Sequence, residues 1–546
     1  MATPTATEIN NALLIPNAIW SGGAVTYSIP GAGALWPGYG PGEEAADPRY
    51  SVLSSDQAAQ FRSAVARWDA VLALRMTETD DAATAGQIRV AFTDADKLSD
   101  EDVSGYAYEP PAAGGSAVPI NGDIWLDYKD AGAPVFPGSG MYLAMLHELG
   151  HALGLKHPFE EGATLPAAFD NLRYSVMSYT LAPDSTYRLV EETSNGPKLS
   201  AYSLVPATPM VFDIAALQAR YGVDTATEAR DSSYSHSGSG PLLATIYDAG
   251  GEDGVDMEGG ARGSLIDLTP GAYSSLNYWS AADQAAYWTA KYPALAAEIA
   301  AAFADPDTYT WSNNLGIAYS TVIEYARGGA FNDTITGNDV SNGLLGGGGA
   351  DRVSAGLGGD TVAGEAGDDY LRGDAGNDLM NGGDGFDDVN GNMGDDSITG
   401  GLGPDWVAGG KDNDILFGEE DSDVVYGNLG ADICDGGVGD DVIRGGQDND
   451  TVYGRDGNDW LSGDRGEDTV VGGAGADIFH TFNEAGVDRV TDFNRAEGDR
   501  VLVDPGTAYT VSQSGGDVIV DMGGGNRMIL VGVQMSSLSG DWIFGA

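Results

Sequence analysis

Residues 364–381 read GEAGDDYLRGDAGNDLMN, two blocks of nine with Gly first, Asp sixth and an apolar residue eighth. The frame runs outward in both directions without a slip, from Gly328 to His480, which makes 17 blocks. The sixth position holds Asp333, Asp351, Asp360, Asp369, Asp378, Asp387, Asp396, Asp405, Asp414, Asp423, Asp432, Asp441, Asp450, Asp459, Asp468 and Asp477, with Asn342 as the exception. The first position is Gly in every block but one, where Ala355 stands. The eighth is apolar throughout, from Ile335 and Leu344 to Phe479. One such block is an ordinary turn with an Asp cap. Seventeen in phase require a repeating structure.

The residue types say what repeats. Glycine allows the positive φ of a tight turn and leaves carbonyls exposed. The sixth-position carboxylate adds a hard oxygen ligand, which suits Ca²⁺. The last three residues of each block make a short strand whose eighth side chain points inward. The pattern predicts an all-β parallel β-roll of RTX-type nonapeptide repeats over 328–480, two blocks to a coil, with calcium between block n and block n+2. The sixteen aspartates are its candidate ligands, for on the order of ten ions. Asp412, Asp421 and Asp448 replace Gly at the fourth position, so weaker sites are expected there. The segment carries 33 acids against 6 bases, a net of −27. Without cations such a stack repels itself, so folding and metal binding are expected to be one equilibrium. Cys434 falls on an eighth position and is expected to be a small buried hydrophobe.

The whole chain of 546 residues has a formal charge of −56. An anion of that size is not expected to bind nucleic acid or an anionic membrane. A single cysteine excludes an intrachain disulfide framework. No run of 18 apolar residues suggests a membrane span. The opening MATPTATEINNALLIP has no basic leader followed by an apolar core, so no Sec-type signal is expected.

Residues 1–245 read as an α+β domain. AVTYSIP (24–30), QIRVAF (87–92) and IWLDY (124–128) are predicted strands. SSDQAAQFRSAVARWDAVLAL (54–74) has apolar residues at Ala58, Phe61, Val65, Trp68 and Leu72, a helical spacing, with Ser55 or Asp56 available as its cap. MYLAMLHELGHAL (141–153) is a predicted buried helix capped by Ser139, and PMVFDIAALQARYG (209–222) is another. Residues 246–327 form a connecting region with helices inserted near 280–306 and interrupted by Pro293. Residues 481–546 follow the roll as a C-terminal β region, with strands at 517–522, 527–533 and 541–544.

Three of the five histidines fall in HELGHALGLKHP, residues 147–158. On a helix, His147 and His151 are four residues apart and share a face. Two imidazoles so placed can hold one Zn²⁺, and Glu148 beside them can act as general base toward a water on the metal. Gly154 lets the chain leave the helix and return His157 to the same ion. Three neutral nitrogen ligands leave a position open, as a catalytic zinc requires. Downstream, YSVMSY (174–179) can set Met177 as an apolar floor beneath the metal and Tyr179 near it.

HELGHALGLKHP followed by YSVMSY resembles the metzincin metalloproteases, and within them the serralysins, whose proteases precede an RTX roll. The similarity extends through DIAALQARYG (213–222), YDAGGED (247–253), TVIEYARGG (321–329) and VDRVTDF (487–493). The resemblance implies a zinc endopeptidase acting on extracellular proteins and peptides. It implies zinc on His147, His151 and His157, with Glu148 as the base. It implies Tyr179 as a resting ligand that turns to the oxyanion, and Met177 and Gly154 as structural residues. It implies calcium at Asp248, Gly250, Asp253 and Glu324 near the junction. It also implies secretion of a monomer through a type I channel, with an uncleaved signal near Asp541, Trp542, Ile543 and Phe544. The strand GDIWLDY (122–128) resembles the edge strand of metzincin clefts, where a peptide substrate adds as a further strand. The departures are the helical insert and the many repeats. The repeat number motivates a second reading, a calcium-dependent surface or adhesion protein with a vestigial protease domain. A zinc esterase is a third, with nothing beyond the metal to support it.

Overall fold

The computed structural model describes residues 2–41, 43–95, 104–160, 162–236 and 240–545. The chain divides into two compact units: Met1–Ser232 with Gly238–Asp253 and Pro270–Val322, and Ser233–Ser237 with Gly254–Thr269 and Ile323–Ala546. Residues 246–327 are therefore shared between the units.

The first unit opens with helix α1 (Ala6–Leu13), then strand β1 (Ala24–Ser28), helix α2 (Ser55–Asp69), and strands β2 (Arg75–Glu78), β3 (Ile88–Thr93), β4 (Gly105–Ala107) and β5 (Ile124–Asp127). Helix α3 (Gly140–Leu153) follows, then a hairpin of β6 (Thr186–Thr193) and β7 (Gly196–Ser203), and helix α4 (Val211–Tyr221). The cap of α2 is Ser54 rather than Ser55 or Asp56. Its hydroxyl accepts from the Gln57 N–H, and the Gln57 side chain returns to the Ser54 N–H, so the helix starts one turn-closing residue earlier. Ser139 caps α3 as its position suggests, accepting from Tyr142 N–H at 3.3 Å.

The five-stranded sheet has the order β2-β1-β3-β5-β4, parallel except for β4. Ile88, Val90 and Phe92 of β3 and Ile124 and Leu126 of β5 face the core they share with Phe61 and Trp68 of α2 and Met145 and Leu149 of α3. The alternate residues Ala91 and Trp125 join Trp36 on the opposite face. With both faces covered, β3 and β5 are buried at every residue. Strand β5 is thus interior. The edge strand is β4, not the 122–128 segment. The resemblance picked out the more hydrophobic strand, whereas β4, with the sequence GYA, is too short to carry a pattern.

The insert folds as helices α5 (Ala281–Lys291) and α6 (Ala296–Phe303), separated by a single 3₁₀ turn that begins at Pro293. Both belong to the first unit.

The second unit is the roll. Strands 18 residues apart pair in parallel, as Thr361↔Leu379 and Leu379↔Ser397 do, so alternate blocks build two separate sheets. The rows start before the first repeat, at 233–235 and 265–267, and continue past the last through 487–490 and 500–503. The eighth-position side chains fill the interior; Ile335, Leu371, Leu416 and Phe479 are fully buried. Cys434 lies among them, and burial pushes its thiol far above the usual range.

From Gly347 onward every second position, and from Gly349 onward every fourth position but Gly457 and Gly466, has left-handed φ, which favours glycine there. Asp412, Asp421 and Asp448 keep the turn at φ near 75°. Gly376 has no such latitude: at φ +148°, its Cβ would coincide with the Gly358 carbonyl oxygen. Gly376→Ala is expected to destabilise the roll by about 2–4 kcal/mol. A calcium titration followed by circular dichroism checks this, the variant needing more calcium to fold.

Candidate metal centre and active-site cleft

Helix α3 is held at its C-terminal end by groups distant in sequence. The Trp20 indole donates to the Ala152 carbonyl at 2.8 Å, the Tyr221 hydroxyl to Leu153 at 2.8 Å, and the Arg220 guanidinium to Gly154 at 2.8 Å. These satisfy carbonyls that a helix end leaves open. Gly154 turns the chain at φ +101°, and Arg220 occupies the space a Cβ would need.

That turn brings three imidazoles together. His157 Nε2 lies 3.1 Å from His147 Nε2 and 3.0 Å from His151 Nε2. The far nitrogens are all engaged. His147 Nδ1–H donates to Val176 O at 2.8 Å, His151 Nδ1–H to Leu155 O at 2.9 Å, and His157 Nδ1–H to Glu160 Oε1 at 2.5 Å. Each bond fixes the tautomer that turns the Nε2 lone pair inward. Three lone pairs this close repel one another unless a cation sits among them. Tetrahedral Zn–N bonds of 2.0–2.1 Å put nitrogen atoms roughly 3.3–3.4 Å apart, close to what is found. Burial holds the His147 imidazolium down to about 4 and that of His151 well below its usual value, so both are neutral ligands at pH 7. Among the described residues, these histidines are the one group of three or more His, Cys, Asp or Glu side chains whose ligand atoms converge.

Glu148 is 4% exposed, its Oε2 has no hydrogen-bond partner, and burial alone raises its carboxyl to about 8. A nearby divalent cation would favour the ionised form. Strand β4 passes directly over it; a Cβ on Gly105 would stand 3.3 Å from the Glu148 side chain. The Tyr179 ring is 59% exposed and lies against His147 and His157, with centroids 5.6 and 4.6 Å apart. Met177 is fully buried beneath α3. A Cβ on Gly150 would meet its sulfur at 2.6 Å, which is why the helix carries glycine there.

Two supporting residues carry no motif signal. Glu160 orients His157. Asp213 of α4 is fully buried and holds the turn before Met177: Oδ1 accepts from the Ser175 hydroxyl at 2.6 Å, and Oδ2 accepts from Val176 N–H at 2.8 Å and Met210 N–H at 2.9 Å. Burial raises its carboxyl to about 7 despite these bonds. Asp213→Ala leaves three donors unpaired and is expected to cost about 2–4 kcal/mol and to weaken metal retention. Thermal unfolding and bound-zinc analysis test both.

Beside Glu148 and His147 lies an apolar pocket walled by Leu143, Leu172, Val176, Leu181 and Val205.

In the roll, Asp351 N–H donates to Asp369 Oδ1 at 2.7 Å, and the same bond to the Asp 18 ahead recurs every nine residues through Asp459, while Asp477 N–H donates to Asp499 Oδ1. The other oxygen, Oδ2, is buried without a partner in all fifteen sixth-position aspartates from Asp351 to Asp477. A Cβ on the first-position Gly364 would collide with Asp369 Oδ2 and with the Gly382 carbonyl oxygen, so the glycine leaves an oxygen-lined cradle. Orphaned buried carboxylate oxygens facing carbonyls fit Ca²⁺. Asp333 differs, since both its oxygens accept N–H bonds, from Ser264 and Gly329. Asn342 fills the same place with an amide that donates to the Ile323 and Glu324 carbonyls and to Asn338 Oδ1. Of the junction residues, Asp248, Gly250 and Asp253 belong to the first unit and Glu324 to the second. Asp248 Oδ1 accepts from Gly250 N–H at 3.0 Å, and Asp253 Oδ1 from Ser232 N–H at 2.8 Å.

The comparisons agree with this geometry. Residues 46–186 match the Matrixin family model. The unit that holds the three histidines carries a Matrixin domain. Seven stretches between residues 323 and 479 match the RTX calcium-binding nonapeptide repeat. A Matrixin domain implies a catalytic zinc, and RTX repeats bind calcium. The chain is similar to Serralysin of Proteus mirabilis, 30% identical over 41% of each chain. It is similar to Metalloprotease AprA of Pseudomonas entomophila, 27% identical over 54% of this chain and 56% of that one. Serralysin B of Dickeya chrysanthemi is 26% identical over 51% of this chain and 53% of its own. The chain spans about half the length of the curated relatives it matches. Among the described residues, no helix is long and apolar enough to cross a membrane.

Proposed function

We propose that the protein is a zinc endopeptidase stabilised by calcium in its roll. The observation that carries this reading is the convergence of three tautomer-fixed Nε2 atoms beside a buried, unpartnered Glu148 oxygen. His147, His151 and His157 would hold the zinc, which when bound would polarise the scissile carbonyl and make a water more acidic. Glu148 takes a proton from the attacking water at Oε2 and returns it to the leaving amine. The Tyr179 hydroxyl would bind the metal at rest and donate to the developing oxyanion of the substrate. Met177, seated by Asp213, sets the floor. The substrate adds as a strand along β4, with main-chain bonds giving grip, and an apolar side chain enters the pocket near Leu143.

Asp351 through Asp477 bind calcium through Oδ2 together with turn carbonyls. Asp333 contributes less, because its oxygens already accept N–H bonds. Asp248, Gly250 and Asp253 of the first unit, and Glu324 of the second, are retained as calcium ligands on the resemblance. Export through a type I channel follows from the same resemblance, with the roll folding where calcium is millimolar. Recovery of the protein only from cytosol would remove the export proposal.

The test is casein hydrolysis by the purified chain with Ca²⁺ and Zn²⁺. Zinc binding and a folded roll without any hydrolysis would move the reading to a calcium-dependent adhesion protein.

A further inference from the structure

The β6–β7 hairpin is a two-stranded sheet on its own, and two strands alone are marginal in water. The insert steadies it. Val190 and Leu199, paired across the hairpin, pack against Ile299 and Phe303 of α6 and Trp288 of α5. On the same face Arg188 gives Nη2–H to Asp305 Oδ2 at 2.6 Å and Nε–H to Thr308 Oγ1 at 3.2 Å. Thr186 N–H donates to Asp307 O at 2.8 Å, and Thr186 O accepts from Tyr309 N–H at 2.9 Å. The insert and the residues that follow it, 281–309, therefore brace part of one face of the hairpin with a small core and four hydrogen bonds.

The hairpin is inserted between two walls of the pocket beside Glu148. The chain leaves the cleft after Leu181 and returns to it at Val205. The remaining apolar walls come from elsewhere in the chain: Leu143 stands on α3, Leu172 is buried, and Val176 is buried in the main core. Three apolar walls thus stand apart from the hairpin, and two, Leu181 and Val205, flank a hairpin that needs a brace.

Resting on the protease reading, we propose that residues 281–308 form a specificity element. By bracing the hairpin they hold Leu181 and Val205 in place, so that the cleft prefers peptides presenting a large apolar side chain to that pocket. Bond cleavage itself depends on α3, β4 and the Met177 turn.

The test uses the full chain with zinc and calcium, beside Ile299→Asn and Arg188→Gln. Ile299 is fully buried, and an amide there loosens the brace. Arg188→Gln is the milder variant and guards against misfolding of the first. Two peptides, identical except for Leu or Gly flanking the cleaved bond, are compared by kcat/KM. Hydrogen exchange is followed over 181–205, and bound zinc is measured. The Leu-over-Gly ratio is expected to fall about tenfold in Ile299→Asn and less in Arg188→Gln, with the Gly peptide changed by less than about threefold. Exchange should rise in the hairpin while zinc stays bound. An unchanged ratio, or a parallel loss on both peptides, overturns the proposal. So does exchange in the hairpin that matches the parent. A parent that binds zinc but cleaves neither peptide overturns the protease reading instead, and the specificity role with it.

Discussion

Glu148→Gln is expected to lower kcat by about three orders of magnitude while zinc remains bound. Glutamine keeps the volume of the side chain but cannot take a proton at pH 7. The site gives this substitution unusual clarity. Glu148 contributes no bond to the three histidines, whose far nitrogens are held by Val176, Leu155 and Glu160. Its Oε2 has no partner to lose. Neutral glutamine also removes the burial cost that raises the carboxyl to about 8, so the fold should hold or gain stability. The measurement is single-turnover hydrolysis of a peptide, beside bound zinc and thermal midpoint. A variant that retains a tenth of the parent rate would remove Glu148 from the base role.

The second large effect concerns the roll. Removing calcium with a chelator at pH 7.5 is expected to unfold residues 328–480, and millimolar Ca²⁺ should restore them. The acidity of the ladder adds a pH signature. Burial raises the sixth-position carboxyls: Asp414 and Asp450 to about 8, Asp351, Asp378, Asp387, Asp423 and Asp459 to about 7, and Asp396 and Asp405 to about 6. A carboxyl raised in the folded state binds more protons there than in the unfolded chain. Its contribution is fully present below the unfolded value near 3.8 and is lost as pH rises through the folded values of 6 to 8. The calcium-free roll should therefore melt progressively as pH climbs across that window. With saturating calcium the slope reverses, because the metal binds only the ionised carboxylates. Circular dichroism melts from pH 4 to 8, with chelator and with calcium, test this; parallel slopes in the two series would refute it. Zinc should be resupplied throughout, since a chelator also strips the histidine site.

The insert also bears on how such a cleft is tuned. A catalytic centre built on a helix and its C-terminal turn varies little in geometry, whereas a hairpin braced from outside changes the pocket without disturbing the ligands. On this proposal residues 281–308 adjust selectivity at a distance from the chemistry.

The sequence by itself determined whatever depends on local period. A helix places His147 and His151 on one face, and Gly154 is needed for the φ +101° turn that returns His157. Nine-residue phasing set the strand spacing, the inward eighth position and the Asp row, because each coil repeats the same local geometry. Only the tertiary structure decided the rest. It showed that β4, three residues long, is the edge strand over Glu148, and that 122–128 lies inside the sheet. It brought Asp213 to the turn before Met177 and Glu160 to His157. It separated Asp333, whose oxygens are satisfied, from the fifteen aspartates that keep an orphan Oδ2. Most of these facts depend on partners tens of residues away or on which strand lies outermost, and the Glu160–His157 contact on the fold of a turn; no short-range period encodes any of them. The same holds for the insert: Pro293 and the helical spacing predicted its helices, but only packing showed that they grip the hairpin between Leu181 and Val205.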